Sequence, residues 1–173
     1  MKKQALILLA PLLAGVCILC ASVKTDQDHN ADFSRYKTYS WLKVEASDSI
    51  WADRIRNDID VQLQEKGWNR VESSGDASIS AFGRVRNEQT LHTFYDGLGG
   101  GWYWRGFGGT TTTTVENTPV GTLVVHIFDS SNKRLIWTGT STETLAEKAD
   151  KNERKLEKAI EEMFQHFPPK GRS

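Results

Sequence analysis

Histidine is the side chain best suited to moving protons near neutral pH. It occurs four times, at His29, His92, His126 and His166. No second histidine or cysteine stands two to four positions after any of them, so the spacing of a zinc site is missing. His126 interrupts an apolar run three residues before Asp129, and the pair could serve as a general base and its orienting carboxylate. An envelope hydrolase or transferase with its site near His126 and Asp129 is the catalytic reading. Serine is plentiful, but no Gly-x-Ser-x-Gly elbow occurs. Asp58 and Asp60 are two apart and do not share a helix face, so paired-carboxylate chemistry is not expected. No cofactor-binding or phosphate-loop pattern occurs either.

Contact chemistry is written more clearly than catalysis. Residues 94–109 are rich in glycine and carry Trp102, Tyr103, Trp104 and Phe107. Rigid amphipathic rings in such a stretch suit stacking on a sugar, docking on a partner, or sitting in a membrane headgroup layer. The plainer reading is a long loop between strands.

These residues need elements to position them. Residues 120–128 and 134–142 are dense in β-branched and bulky apolar residues, split by the polar turn Asp129-Ser130-Ser131-Asn132-Lys133, and predict one hairpin. Because 120–128 is apolar on both faces, it should be a central strand. Residues 33–42 predict a strand. Ala52, Ile55, Ile59 and Leu63 predict a helix capped by Asp48 or Ser49 and ended at Gly67. Residues 78–86 alternate as a half-buried strand. Residues 111–117 precede Pro119, which should break the third strand at a bulge or edge. Leu156, Ala159, Ile160, Met163, Phe164 and Phe167 form the stripe of a last helix begun by a capping box of Asp150 and Glu153. The order β-α-β-β-β-α predicts an α+β fold, an antiparallel sheet of about four strands with two helices packed on one face.

The N-terminus reads as an address. Lys2 and Lys3 precede an apolar run over residues 5–19, so residues 1–22 predict a secretory signal peptide. Residues 23–31 are polar and read as a tether, leaving 32–169 as a single domain. The only cysteines, Cys17 and Cys20, both lie at the leader junction, so no disulfide is expected in the mature chain. Either Cys20 is lipidated or the chain is cut after Ser22. With 22 basic and 22 acidic residues, the chain has no basic footprint, and nucleic acid is not an expected partner.

The stretch from Ala31 to Trp41 (ADFSRYKTYSW), with Val120-Gly121-Thr122-Leu123, Leu135-Ile136-Trp137-Thr138-Gly139 and the final helix, resembles the bacterial lipoproteins of domain of unknown function 4136. The resemblance implies a small α+β domain with no assigned activity, held in the periplasm by a lipid on Cys20. The expected protein is therefore a non-catalytic binding or scaffolding module. Its partners would be the membrane through its anchor and an envelope protein or glycan.

Overall fold

Ala77, Ile79 and Ala81 alternate with serines, and Leu123, Val125 and Ile127 alternate with Val124, His126 and Phe128. That period of two makes strands. The computed structural model, which describes residues 22–95 and 111–168, sets these two segments side by side. The chain runs β1 (Ser22–Gln27), a 3-10 turn (Phe33–Arg35), β2 (Thr38–Glu45), α1 (Ser49–Glu65), β3 (Asn69–Arg70), β4 (Ala77–Tyr95), β5 (Thr111–Asp129), β6 (Leu135–Thr144) and α2 (Ala149–Phe164). All six strands form one mixed sheet in the order β1-β6-β5-β4-β2-β3. The α+β class and the two helices match expectation, and β5 is central. The sheet of about four antiparallel strands does not: it has six strands and is mixed.

Two causes explain the difference. Helix α1 carries the chain from the end of β2 back to the start of β4, so these neighbours run parallel, in register from Tyr39↔Ala77 to Glu45↔Phe82. The other cause is a pair of edge strands beyond the expected four: the two-residue β3, parallel to β2 (Thr38↔Asn69, Tyr39↔Arg70), and β1. Residues 22–27, most of which were assigned to the tether 23–31, pair antiparallel with β6 from Ser22↔Thr142 to Gln27↔Trp137. Val23 alone among them packs against the core, so this edge strand has almost no apolar period to reveal it.

Pro119 does not break β5, whose register with β4 is continuous from Ala77↔Asp129 to Tyr95↔Thr111. Its carbonyl accepts from Leu145 N at 2.8 Å, on the side where β6 ends. The proline nitrogen lies on that same side, past the last β6 pair, where no ladder donor is needed. Phe94 and Tyr95, assigned to the loop 94–109, belong to β4 and pair with Thr112 and Thr111. The rest of that loop lies outside the described residues, as do the leader and Cys20.

Both helices cover one sheet face. Ile55, Ile59 and Leu63 of α1 and Ile160, Met163 and Phe164 of α2 share a core with Tyr39, Ile79, Val125, Ile127 and Trp137. Asp48 caps α1, its Oδ1 accepting from Trp51 N at 3.0 Å, and Gly67 beyond its C-terminus takes φ +82°. The expected capping box of α2 is absent. Lys148 holds the cap position without a side-chain bond. Asn152 instead clasps Ala146 twice, at 2.7 and 2.8 Å.

Charge gathers where the helices meet. Asp58 of α1 is part-buried, and burial, then Glu157, then Glu153 push its carboxyl up to about 6 against the pull of Arg54. Arg54 is itself paired with Glu153 at 3.1 Å. The folded chain thus keeps this proton at pH values where the unfolded chain has lost it. That contribution is complete below about pH 4 and lost as pH rises through about 6. Asp58→Asn should therefore be more stable than the parent by about 1 kcal/mol at pH 7, a figure reduced for partial solvent screening, and the advantage should vanish by about pH 4. Urea titrations of both proteins at the two pH values check the sign.

Candidate functional site

His126 lies on β5 and points to the sheet face opposite the helices. Its Nδ1 is 3.1 Å from Thr138 Oγ1 on β6. Its ring sits between Phe82 at 6.1 Å and Phe128 at 6.0 Å. Burial among these rings lowers its pKa, favouring neutral imidazole. Asp129 closes β5 in a different setting. It accepts from Ser131 Oγ at 2.6 Å, Ser131 N at 2.7 Å and the Tyr36 hydroxyl at 3.0 Å. These bonds, the Ser131 hydroxyl foremost, hold its carboxyl below the usual range. Tyr36 in turn is pushed up to about 12, by burial first and Asp129 second.

The structure does not bring this pair together. His126 and Asp129 share no hydrogen-bond partner. Asp129 borders a polar depression of about 630 Å³ with Asp76, Ser78 and Lys133, and His126 is not part of its wall. A carboxylate fully engaged in ordering its own turn does not orient an imidazole on the sheet's other face. Asp129 shapes the hairpin, and Thr138 positions His126. Among the described residues no group of three or more His, Cys, Asp or Glu could hold a metal ion.

Strands β4 and β5 do something the other strands do not. Pairing of β4 with β2 ends at Glu45↔Phe82, and pairing of β5 with β6 ends at Val120↔Thr144. Beyond those points β4 and β5 continue together through nine further pairs, Asn87↔Pro119 to Tyr95↔Thr111. At about 3.3 Å per residue this two-stranded ribbon reaches some 30 Å from the body. Val85 at its root and Val115 along it are exposed, and Arg86 bonds Glu88 at 2.6 Å on its surface. Of the predicted contact residues, Trp102, Tyr103, Trp104 and Phe107 lie outside the described residues, in the stretch that joins the ribbon's two strands.

Sequence reasoning passed over a second feature, a cavity of about 190 Å³ between the sheet and the starts of both helices. Gly83 and Ser141, from β4 and β6, share a row with Leu123 of β5, and Gly121 follows two residues away on the same face of β5. Trp51 of α1 and Leu156 and Ala159 of α2 lie across from them. Ser141 is 3 % exposed, and its hydroxyl has no hydrogen-bond partner among the described residues. The available signal was glycine inside two strands, which marks close approach of something other than a side chain. The mouth is polar, where Lys155 Nζ bonds Glu143 Oε1 at 3.1 Å and the Thr144 carbonyl at 2.7 Å.

A six-stranded mixed sheet with two helices on one face and a long protruding ribbon defines a small two-layer α+β domain. The family model described as "Domain of unknown function (DUF4136)" matches residues 23–169, and the chain belongs to that family. Among solved structures, a PDZ domain protein from Parabacteroides distasonis is similar with a TM-score of 0.60 and 14 % identity, over 88 % of this chain and 36 % of that one. This chain thus spans about a third of that protein's length. The PelC dodecamer from Paraburkholderia phytofirmans is similar with a TM-score of 0.52 and 13 % identity, over 88 % of this chain and 100 % of that one. At such identities the likeness is one of fold. No curated protein matches the sequence significantly. Among the described residues no helix is long and apolar enough to cross a membrane.

Proposed function

We propose that this protein is an exported, lipid-anchored component of the bacterial cell envelope, held in the periplasm at a membrane by Cys20. It works as a non-catalytic binding module whose arm is the β4–β5 ribbon. The supporting observation is the common direction of arm and anchor. Strand β1 begins at Ser22, opposite Thr142, at the end of the sheet where β6 stops and the ribbon departs. Cys20 is two residues before Ser22, so a lipid there holds that end of the domain close to the bilayer. An arm leaving the same end is aimed at whatever stands at the membrane surface.

The partner is an envelope protein. Two strands alone in water are marginally stable. Among the described residues, both ribbon edges beyond Phe82 and Pro119 are without a neighbouring strand, which is the arrangement that strand addition uses. Trp102, Tyr103, Trp104 and Phe107, in the sequence between the two ribbon strands, are the candidate contact residues, since aromatic rings suit large rigid contacts. The similar Paraburkholderia structure is a dodecamer, so a further copy of this chain is one candidate for that partner.

Cross-linking in membranes of the native host tests both parts. Wild type should fractionate with membranes and carry a cross-linked protein, and Cys20→Ser should leave the membrane fraction. Replacing residues 88–118 by an Asn-Gly turn should keep membrane attachment, hold Tm within a few degrees, about the effect of 1 kcal/mol at this size, and lose the cross-link. A shortened chain that keeps its cross-linked protein overturns the arm. A soluble periplasmic wild type that begins at Val23 overturns the anchor, and a cross-link to glycan alone overturns the choice of partner.

A further inference from the structure

We propose that the cavity between Gly83, Gly121 and Ser141 on the sheet and Trp51 and Ala159 on the helices is a binding site for a small uncharged ring compound of phenol to indole size. The ligand's single polar group hydrogen-bonds Ser141 Oγ.

Four small residues from four elements, Gly83, Gly121, Ser141 and Ala159, line one space. Gly83 and Gly121 remove two side chains from the sheet surface, and their missing Cβ atoms are not replaced by polar contacts. A Cβ at Gly83 would stand 3.0 Å from Ile55 Cδ1, and one at Gly121 would stand 2.9 Å from Leu145 Cδ2. Ile55 and Leu145 thus crowd the places of the two missing side chains, and Trp51 and Leu156 line the space opposite the sheet. An engineered apolar cavity of about 150 Å³ holds benzene, so about 190 Å³ holds a ring with one substituent.

Ser141 sets the ligand's polarity. A buried hydroxyl without a partner destabilises a fold relative to alanine at the same place. Ser141 is such a hydroxyl, 97 % removed from solvent in a mostly apolar wall. Among the described residues no group satisfies it, and a ligand's hydroxyl or ring N–H does. Charge is disfavoured by the mouth, where Lys155 and Glu143 already neutralise one another. The cavity opens at the ribbon end of the sheet, and it is independent of the arm.

The test is a titration of the full-length chain, in detergent-free buffer, with phenol and with toluene, which exchanges the hydroxyl for a methyl of similar size. Amide resonances of Gly83, Gly121 and Ser141 should shift and saturate with phenol at millimolar concentration. Ser141→Ala should weaken phenol by about three- to tenfold, the worth of one neutral hydrogen bond, and leave toluene unchanged or tighter. Ala159→Leu, which fills the space from α2, should abolish both. Shifts confined to other residues, or no shift with either compound, overturn the site. Equal phenol affinity in Ser141→Ala overturns the role of the hydroxyl, even if Ala159→Leu fails to fold. Phenol bound undiminished by a folded Ala159→Leu overturns the location.

Discussion

Trp137→Ala should lower the free energy of unfolding by about 3–5 kcal/mol, read as a fall in the urea midpoint with little change in slope. Trp137 is the residue on which the sheet and the C-terminal helix are joined. Its ring is buried, 5.0 Å from Phe164 and 5.3 Å from Phe167. Phe167 in turn meets Phe33 at 5.8 Å and Trp68 at 5.2 Å, so one truncation opens a cluster that ties β6 to α2, the 3-10 turn and the segment after α1. Gly139, two residues on, is part of the same fit. A Cβ there would stand 2.6 Å from Trp137 Cη2 and would collide with Met163. Large ring beside absent side chain is a complementary pair, and alanine at 137 leaves a cavity that neither neighbour can close without moving α2. A midpoint unchanged by Trp137→Ala would mean that this junction is not the core.

Much of that junction was legible. The stripe Ala159, Ile160, Met163, Phe164 and Phe167 repeats at helical spacing, and all five side chains are buried. The alternation in 78–86 likewise places Ile79 and Ala81 on a buried face, whereas 120–128, apolar on both faces, does not say which side the helices cover. What was not legible has physical causes. Lys24, Thr25 and Asp26 carry no apolar signal, because an edge strand that buries one side chain is held by backbone bonds to β6. The direction of β2 relative to β4 is decided by where α1 returns the chain, not by any residue in either strand. The reach of β4 was hidden by Asn87 to Thr93, where no apolar face marks a strand, whereas 111–117 was expected as part of the third strand and is found in β5. The His126 and Asp129 pair looked close because they stand three positions apart, but in a strand that spacing sends the two side chains to opposite faces. The cavity was invisible because an absence of side chains is assembled from Gly83, Gly121, Ser141 and Ala159, each unremarked alone.

Asp60→Ala should be the most damaging change of a charged residue, at about 3–4 kcal/mol. Asp60 is 7 % exposed on α1 and holds three donors at once. Tyr39 hydroxyl donates to Oδ1 at 2.6 Å, Trp41 Nε1 donates to the same oxygen at 2.9 Å, and Arg70 Nη1 donates to Oδ2 at 2.9 Å. One carboxylate thus fastens α1 to β2 and β3 together. Tyr39 is fully buried, and burial foremost, then Asp60, raises its pKa far above the ordinary value, so it remains a donor at any pH the fold survives. Removing the acceptor strands this buried hydroxyl and takes the partner from the part-buried Trp41 N–H. The Arg70 side chain is 48 % exposed, turns to solvent, and adds little. The order of effects follows from that difference. Asp60→Ala should exceed Tyr39→Phe, at about 1 to 1.5 kcal/mol for one lost bond, and Tyr39→Phe should exceed Arg70→Ala, at under about 1 kcal/mol for a half-exposed ion pair. Denaturant titrations of the three variants measure the series. If Arg70→Ala proves as costly as Asp60→Ala, the ion pair and not the acceptor for buried donors holds this corner of the fold.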